Sequence, residues 1–245
     1  MLLAGMAAGT VNIIVGSGTL ITFPVLLAVG YPPVLANVTN TVGLTPGSVS
    51  GAIGYRAELE GQGRRLVTLG VVSVLGGLTG AILLLTLPPG AFRAIVPVLI
   101  AISLVLVVLQ PRLSRRLAEG SDGPGRPAHG GIGLQAGVYG SGIYGGYFGA
   151  AQGVLLIGLL GVFLREDLQC INAAKNVLAA LVNGTAAVVF IAVADVAWQA
   201  AALIAVGSVV GGQLGASIGR RVPAPVLRAL IVVVGIVAIA KIVAG

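Results

Sequence analysis

The sequence predicts an all-α integral membrane protein built from two repeats of four apolar segments each, about eight transmembrane segments in all. Three observations carry this reading. Of the 245 residues, 57% are hydrophobic and 9% charged, against roughly 25% charged in soluble domains. Apolar runs near the ~20 residues that cross a bilayer as a helix recur along the whole chain. The sequence also repeats itself at an offset of about 135 residues. Val71, Ser73, Val74, Gly76, Gly77, Gly80 and Ala81 return as Val206, Ser208, Val209, Gly211, Gly212, Gly215 and Ala216, and the same offset pairs Gly18 with Gly153, Asn37 with Asn172 and Arg93 with Arg228.

In the first repeat, residues 1–110, the apolar segments run from Leu2 to Val29, Val34 to Tyr55, Leu66 to Leu87 and Ala91 to Leu109. Charge, Pro and Gly then cluster between Gln110 and Gly131, so a linker loop is expected over 111–131. The second repeat, 132–245, has segments from Ile132 to Leu164, Leu168 to Val193, Ala197 to Ile218 and Val226 to Ala244. Segments one and five are the long ones, interrupted at Gly16-Ser17-Gly18 and at Gly149-Ala150-Ala151-Gln152-Gly153. Each is either a long tilted helix or two half-helices folded as a hairpin. Pro46 is expected to kink segment two. No basic residue precedes the first apolar stretch, so that segment is expected to stay in the mature chain rather than leave as a secretory signal.

Loop charge discriminates between the two topologies. If all eight segments cross, the Lys and Arg residues other than Lys175 divide eight to five between the faces; if segments one and five return as hairpins, they divide eleven to two, with Arg93 and Lys241 alone on the far side. The positive-inside rule favours the second arrangement. The repeats are then inverted, both termini lie outside, and the Arg-rich loops face the cytoplasm.

One cysteine, Cys170, and one histidine, His129, exclude a disulfide framework and a His/Cys metal centre, and no metal or cofactor is expected. The net charge of +7 resides mainly in short loops, which reads as membrane orientation rather than nucleic-acid binding. Candidate site residues fall on segments two and six. At 100° per residue, offsets of 0, +4 and +11 share a helix face. Asn172, Asn176 and Asn183 have that spacing, flanked by Lys175, and their partners at the repeat offset are Asn37, Thr41 and Ser48, with Asn40 matching Lys175. Such stripes can simply join helices by hydrogen bonds, worth roughly 0.6 kcal/mol each. Duplication of the stripe argues for a shared polar site instead.

Lys175 is the single cation well inside an apolar segment. Burial at a helix centre costs roughly 2.5–3.5 kcal/mol, so the residue needs a partner or a function unless it snorkels to an interface. No carboxylate neighbours it in sequence, and an anionic ligand could supply the counter-charge. Ser17, Thr19 and Gln152 mark the two breaks, where half-helix N-termini favour an anion. The predicted binding set is Ser17, Thr19, Asn37, Asn40, Thr41, Gln152, Asn172, Lys175 and Asn176. An intramembrane enzyme is the first alternative, since Ser17 and Ser141 stand between glycines. A nucleophilic serine needs a base, however, and Lys175 alone could serve. An accessory membrane subunit held together by its polar stripes is the second.

Gly16-Ser17-Gly18-Thr19-Leu20-Ile21-Thr22-Phe23-Pro24 with Ala36-Asn37-Val38-Thr39-Asn40 resembles the first half of the TauE/SafE sulfite exporter family, and Asn172-Ala173-Ala174-Lys175-Asn176 with the Gly207 to Ala216 stretch resembles its second half. The likeness covers nearly the whole chain. It implies a multi-pass permease of the bacterial cytoplasmic membrane that moves a small sulfur-containing anion such as sulfite, sulfoacetate or a related organosulfonate. The partners implied are that anion and the lipid bilayer. Assembly into a homo-oligomer, the direction of transport, and coupling to a proton or sodium ion stay open. No proline stands in the second repeat where the first has Pro24, so the two breaks need not be equivalent.

Overall fold

The computed structural model describes residues 1–119, 131–164, 166–218 and 233. Every regular element among them is helical: α1 (Leu2–Ile14), α2 (Thr19–Val29), α3 (Pro33–Gly54), α4 (Gly63–Thr86), α5 (Pro89–Glu119), α6 (Gly131–Tyr147), α7 (Gln152–Phe163), α8 (Leu168–Val193) and α9 (Trp198–Ile218), with a short 3-10 turn at Arg56–Leu59. Four stretches are long and apolar enough to cross a membrane: Gly63–Thr86, Gly90–Leu109, Leu168–Val193 and Trp198–Ser217. The 22-residue α3 is as long but is not among them; it carries Asn37, Thr39, Asn40, Thr41, Thr45 and Ser48.

Segments one and five are each divided into two helices, at 15–18 and 148–151. Gly133 lies against Phe163, Gly137 against Leu159 and Gly145 against Gln152, so α6 and α7 run antiparallel as a hairpin. The first segment has the same form. Gly5 and Gly9 meet Ile204 and Ser208, while Gly43 and Gly47 meet those same two residues, so α1, α3 and α9 run parallel. Thr19 and Thr22 meet Asn40, and α2 joins α3 through the turn at 30–32, so α2 runs back against α3 and therefore against α1.

The halves are interlaced. α1 packs along α9, and α6 packs along α4. Glycines at both seams let backbones approach: Gly207, Gly211 and Gly215 face α1, and Gly76 and Gly80 face α6. Small residues serve this purpose in lipid, where apolar side chains gain nothing by leaving an apolar solvent. Polar side chains add to this packing, with Thr10 Oγ1 donating to Gly211 O across the α1–α9 seam at 3.1 Å and Ser208 Oγ of α9 donating to Gly43 O of α3 at 3.0 Å.

Two sequence expectations change. The predicted linker 111–131 begins as helix, because α5 continues to Glu119; Leu113, Arg115, Arg116, Leu117, Ala118 and Glu119 are good helix formers, and they outweigh the turn signal of Pro111. Residues 120–130 of that linker, and the eighth segment from Val226 to Ala244, lie outside the described residues. The repeat offset is also not uniform. Gly16 (φ 84°) and Gly149 (φ 77°) occupy equivalent left-handed positions at the breaks, and Thr19 and Gln152 each open the returning helix. The offset there is thus 149 − 16 = 133, so Gln152 corresponds to Thr19 rather than to Ser17.

Candidate functional site

The tips of the two hairpins touch. Gly153 N–H donates to Gly16 O at 3.1 Å, and a Cβ on either glycine would collide with the other's backbone. Both tips depend on left-handed backbone, supplied by Gly16 and Gly149, which pay little for it, and by Ala151 at φ 60°, where a side chain makes the conformation strained. Two hydroxyls hold the second tip in place. Tyr144 OH from α6 donates to Ala150 O, and Ser103 Oγ from α5 stands 2.9 Å from that carbonyl and 2.6 Å from the Tyr144 oxygen, so its single proton goes to one or the other. The positions equivalent to Tyr144 and Ser103 in the sequence carry Val11 and Ala238, neither of which has a hydroxyl.

Beside the tips lies a cavity of about 10 Å³, lined by Asn12, Gly16, Thr19, Asn40, Thr41, Leu44, Phe148, Gly149, Gln152, Gly153, Ala179 and Asn183. A space of that size takes about one water molecule. Its polar groups come from α1, α2, α3, α7 and α8, and no charged residue lines it. Asn40 donates to Thr19 Oγ1 at 3.1 Å and accepts from Thr22 Oγ1. Asn12 Nδ2 and Asn183 Nδ2 both donate to Ser48 Oγ at 3.2 Å. Gln152 is 3% exposed, and its Nε2 has no hydrogen-bond partner among the described residues. Gly145 makes room for this side chain, since a Cβ there would overlap the Gln152 amide.

Of the nine predicted residues, Thr19, Asn40, Thr41 and Gln152 line the cavity. Two others hold the carbonyl ends of the inward-running helices. Lys175 is 0% exposed, and its Nζ donates to Ile13 O at 2.9 Å and Asn12 O at 3.3 Å, at the C-terminal end of α1. Asn37 Nδ2 donates to Tyr147 O at 2.9 Å, at the end of α6. Each bond crosses from one repeat to the other. Ser17 Oγ, Asn172 Oδ1 and Asn176 Nδ2 are buried without hydrogen-bond partners among the described residues and stand outside the cavity lining. Neither Ser17 nor Ser141 is hydrogen-bonded to Lys175.

Sequence reasoning missed Asn12, which at the 135 offset falls on Tyr147 and at the true offset of 133 on Gly145. A polar residue three positions before the break in an otherwise apolar helix was the available signal. On one flank Phe148 joins Phe23 and Phe92 in an edge-on aromatic cluster, with centroids 5.2 Å apart for Phe23–Phe148 and 6.2 Å for Phe92–Phe148. At the helix ends away from the tips, Arg65 of α4 pairs with Glu166, just ahead of α8, at 2.8 Å. Asp167 caps α8 by accepting from Gln169 N at 2.7 Å and Cys170 N at 3.2 Å.

The model of the family described as sulfite exporter TauE/SafE matches residues 1–242. The chain is 28% identical over 238 residues to the probable membrane transporter protein YfcA of Escherichia coli K12, covering 96% of this chain and 86% of that protein. It is 24% identical over 239 residues to a probable membrane transporter protein of Haemophilus influenzae, covering 98% of this chain and 91% of that one. A probable membrane transporter protein from a Sinorhizobium species, ORF9, is 26% identical over 242 residues, covering 96% and 88%. No solved structure matches the chain.

Proposed function

Because the chain belongs to the TauE/SafE sulfite exporter family of membrane transporters, we propose that it carries a small sulfur-containing anion, namely sulfite, sulfoacetate or a related organosulfonate, across the bacterial cytoplasmic membrane by alternating access at the meeting point of its two hairpins. The observation that carries this reading is the sorting of helix ends. A helix end bears about half an elementary charge, negative at the carbonyl end and positive at the amide end. The carbonyl ends of α1 and α6 are covered by Lys175 and Asn37. The amide ends of α2 and α7 open on the cavity through Thr19, Gln152 and Gly153, with no carboxylate beside them. An oxyanion accepting several hydrogen bonds suits that field.

Sulfite has four non-hydrogen atoms, so a one-water cavity is a closed state and the tips must part to admit it. Separation would release Gly153 N–H from Gly16 O and offer it to the anion. The membrane arrangement we propose has α3, α4, α5, α8, α9 and the eighth segment crossing, with two re-entrant hairpins and inverted repeats. The Arg65–Glu166 pair supports it, because eight plain crossings would put these residues on opposite faces. So does the Ser48–Asn183 bond, which joins repeat-equivalent positions, as residues beside a two-fold axis do.

Flux of sulfite and sulfoacetate into proteoliposomes tests the reading. We expect saturable uptake by the wild type, and Gln152→Leu, which keeps the volume and removes the buried donor, to weaken apparent affinity about tenfold. Protein-independent flux for every sulfur anion tried, from a monodisperse preparation, would sink the proposal.

A further inference from the structure

Lys175 does more than cover the end of α1. Its Nζ has two hydrogen-bond acceptors among the described residues, Ile13 O and Asn12 O. An ammonium has three N–H donors, while a neutral amine has two and a lone pair. These two carbonyls match the two N–H donors of the amine and leave the third proton of the ammonium without an acceptor among the described residues. The α1 terminus offsets about half of an ammonium charge, and the site is fully enclosed at 0% exposure.

Among the described residues no carboxylate stands by to offset the rest. The helices α1, α3 and α7, which surround this part of α8, contain no titratable residue. On α6 there are only the phenols Tyr139, Tyr144 and Tyr147, and Tyr55 packs with Ile13 and Ala173. The charged groups are gathered at the starting end of α8: Arg56 and Glu58 on the 3-10 turn, Arg64 and Arg65 on α4, then Glu166 and Asp167, with the Cys170 thiol one turn in. Lys175 lies seven residues inside, roughly 10 Å of helix beyond them. The cavity is next to it. Asn12 is both its acceptor and a lining residue, and a Cβ on Gly153 would touch Lys175 Cδ at 3.0 Å.

On the premise that the cavity takes an anion, as read above, we propose that Lys175 is the proton-coupling residue: the protein carries one proton on its Nζ with each monoanion and returns empty with a neutral amine. The Nζ lone pair takes a proton from cytoplasmic water as the anion enters, so the pair is neutral inside the membrane. On the opposite side the anion leaves and the new N–H bond breaks, returning the proton to water. The anion supplies the missing counter-charge, and by reciprocity protonation and anion binding strengthen one another. Arginine, which keeps its charge in proteins, could bind the anion but not make the empty return.

Isethionate and sulfoacetate, sulfonates that stay ionised near neutral pH, are the probes. In proteoliposomes holding a pH-sensitive dye, isethionate flux should acidify the receiving compartment by about one proton per anion and be insensitive to a potassium–valinomycin potential. Lys175→Arg should lose net flux at least about tenfold while retaining isethionate counterflow, and Lys175→Met should move isethionate, if at all, without protons. Wild-type flux that moves charge and no proton overturns the coupling alone, as does wild-type net flux in Lys175→Arg. Absence of isethionate, sulfoacetate and sulfite flux overturns both the coupling and the anion reading on which it rests.

Discussion

At the level of single residues, Asp167 shows how a local cap fixes the start of the helix that carries Lys175. Its carboxylate accepts from the amides of Gln169 and Cys170 and from the Cys170 thiol at 2.9 Å. These bonds, the thiol first, hold its pKa below the ordinary carboxylate value. A depressed folded-state pKa adds stability above the unfolded value and loses it as pH falls through the folded one. Asp167→Ala is expected to cost about 1 kcal/mol at neutral pH and progressively less on acidification below the carboxylate range, as read from thermal unfolding in detergent; an equal deficit at acid and neutral pH would contradict it. How legible such residues were depended on the range of their partners. Thr19, Asn40, Thr41 and Gln152 could be picked out because each is polar in an apolar run at a helical spacing or a break. Asn12 could not, because its counterpart at the hairpin offset of 133 is Gly145, which gives no matching polar residue, and its acceptor Ser48 belongs to another helix. Nor could sequence assign Lys175 to backbone carbonyls of a helix more than 160 positions earlier.

At the level of elements, apolar run length located the helices well, since each must satisfy its own backbone hydrogen bonds in lipid. It failed at α5, whose polar last turns carry the helix signal of Arg, Leu and Ala without an apolar one. The two hairpins share a form but not a tether. The second is clamped through Ala150 O by Ser103 and Tyr144, whereas the matching positions of the first carry Val11 and Ala238. The first hairpin is therefore expected to be the more mobile. In hydrogen exchange, amides of 15–22 should exchange faster than those of 148–155, and Tyr144→Phe should raise exchange at 148–155 by severalfold by removing one of the two hydroxyls that hold that carbonyl. Equal protection of the tips in the wild type would refute the asymmetry.

At the level of the whole molecule, counting loop charges pointed to a chain whose Arg-rich loops share one face, and the Arg65–Glu166 pair joins two such loops. Arg65→Cys with Glu166→Cys, in a Cys170→Ser background, should form a disulfide on mild oxidation in membranes; failure of the pair to cross-link, while the protein is inserted, would argue against this arrangement. What could not be read from the sequence was which helices pair, since every apolar face is an equally good partner in lipid until glycine seams select among them. The interlacing of α1 with α9 and of α6 with α4 bears on how the chain is made. The hairpin of α1 and α2 leaves the ribosome long before α9, yet its seam lies on that helix. It must wait in the bilayer, its glycine face bare, until some two hundred further residues have been synthesised. Neither seam is complete within one half, so the membrane is expected to hold an unfinished hairpin until α9 is made.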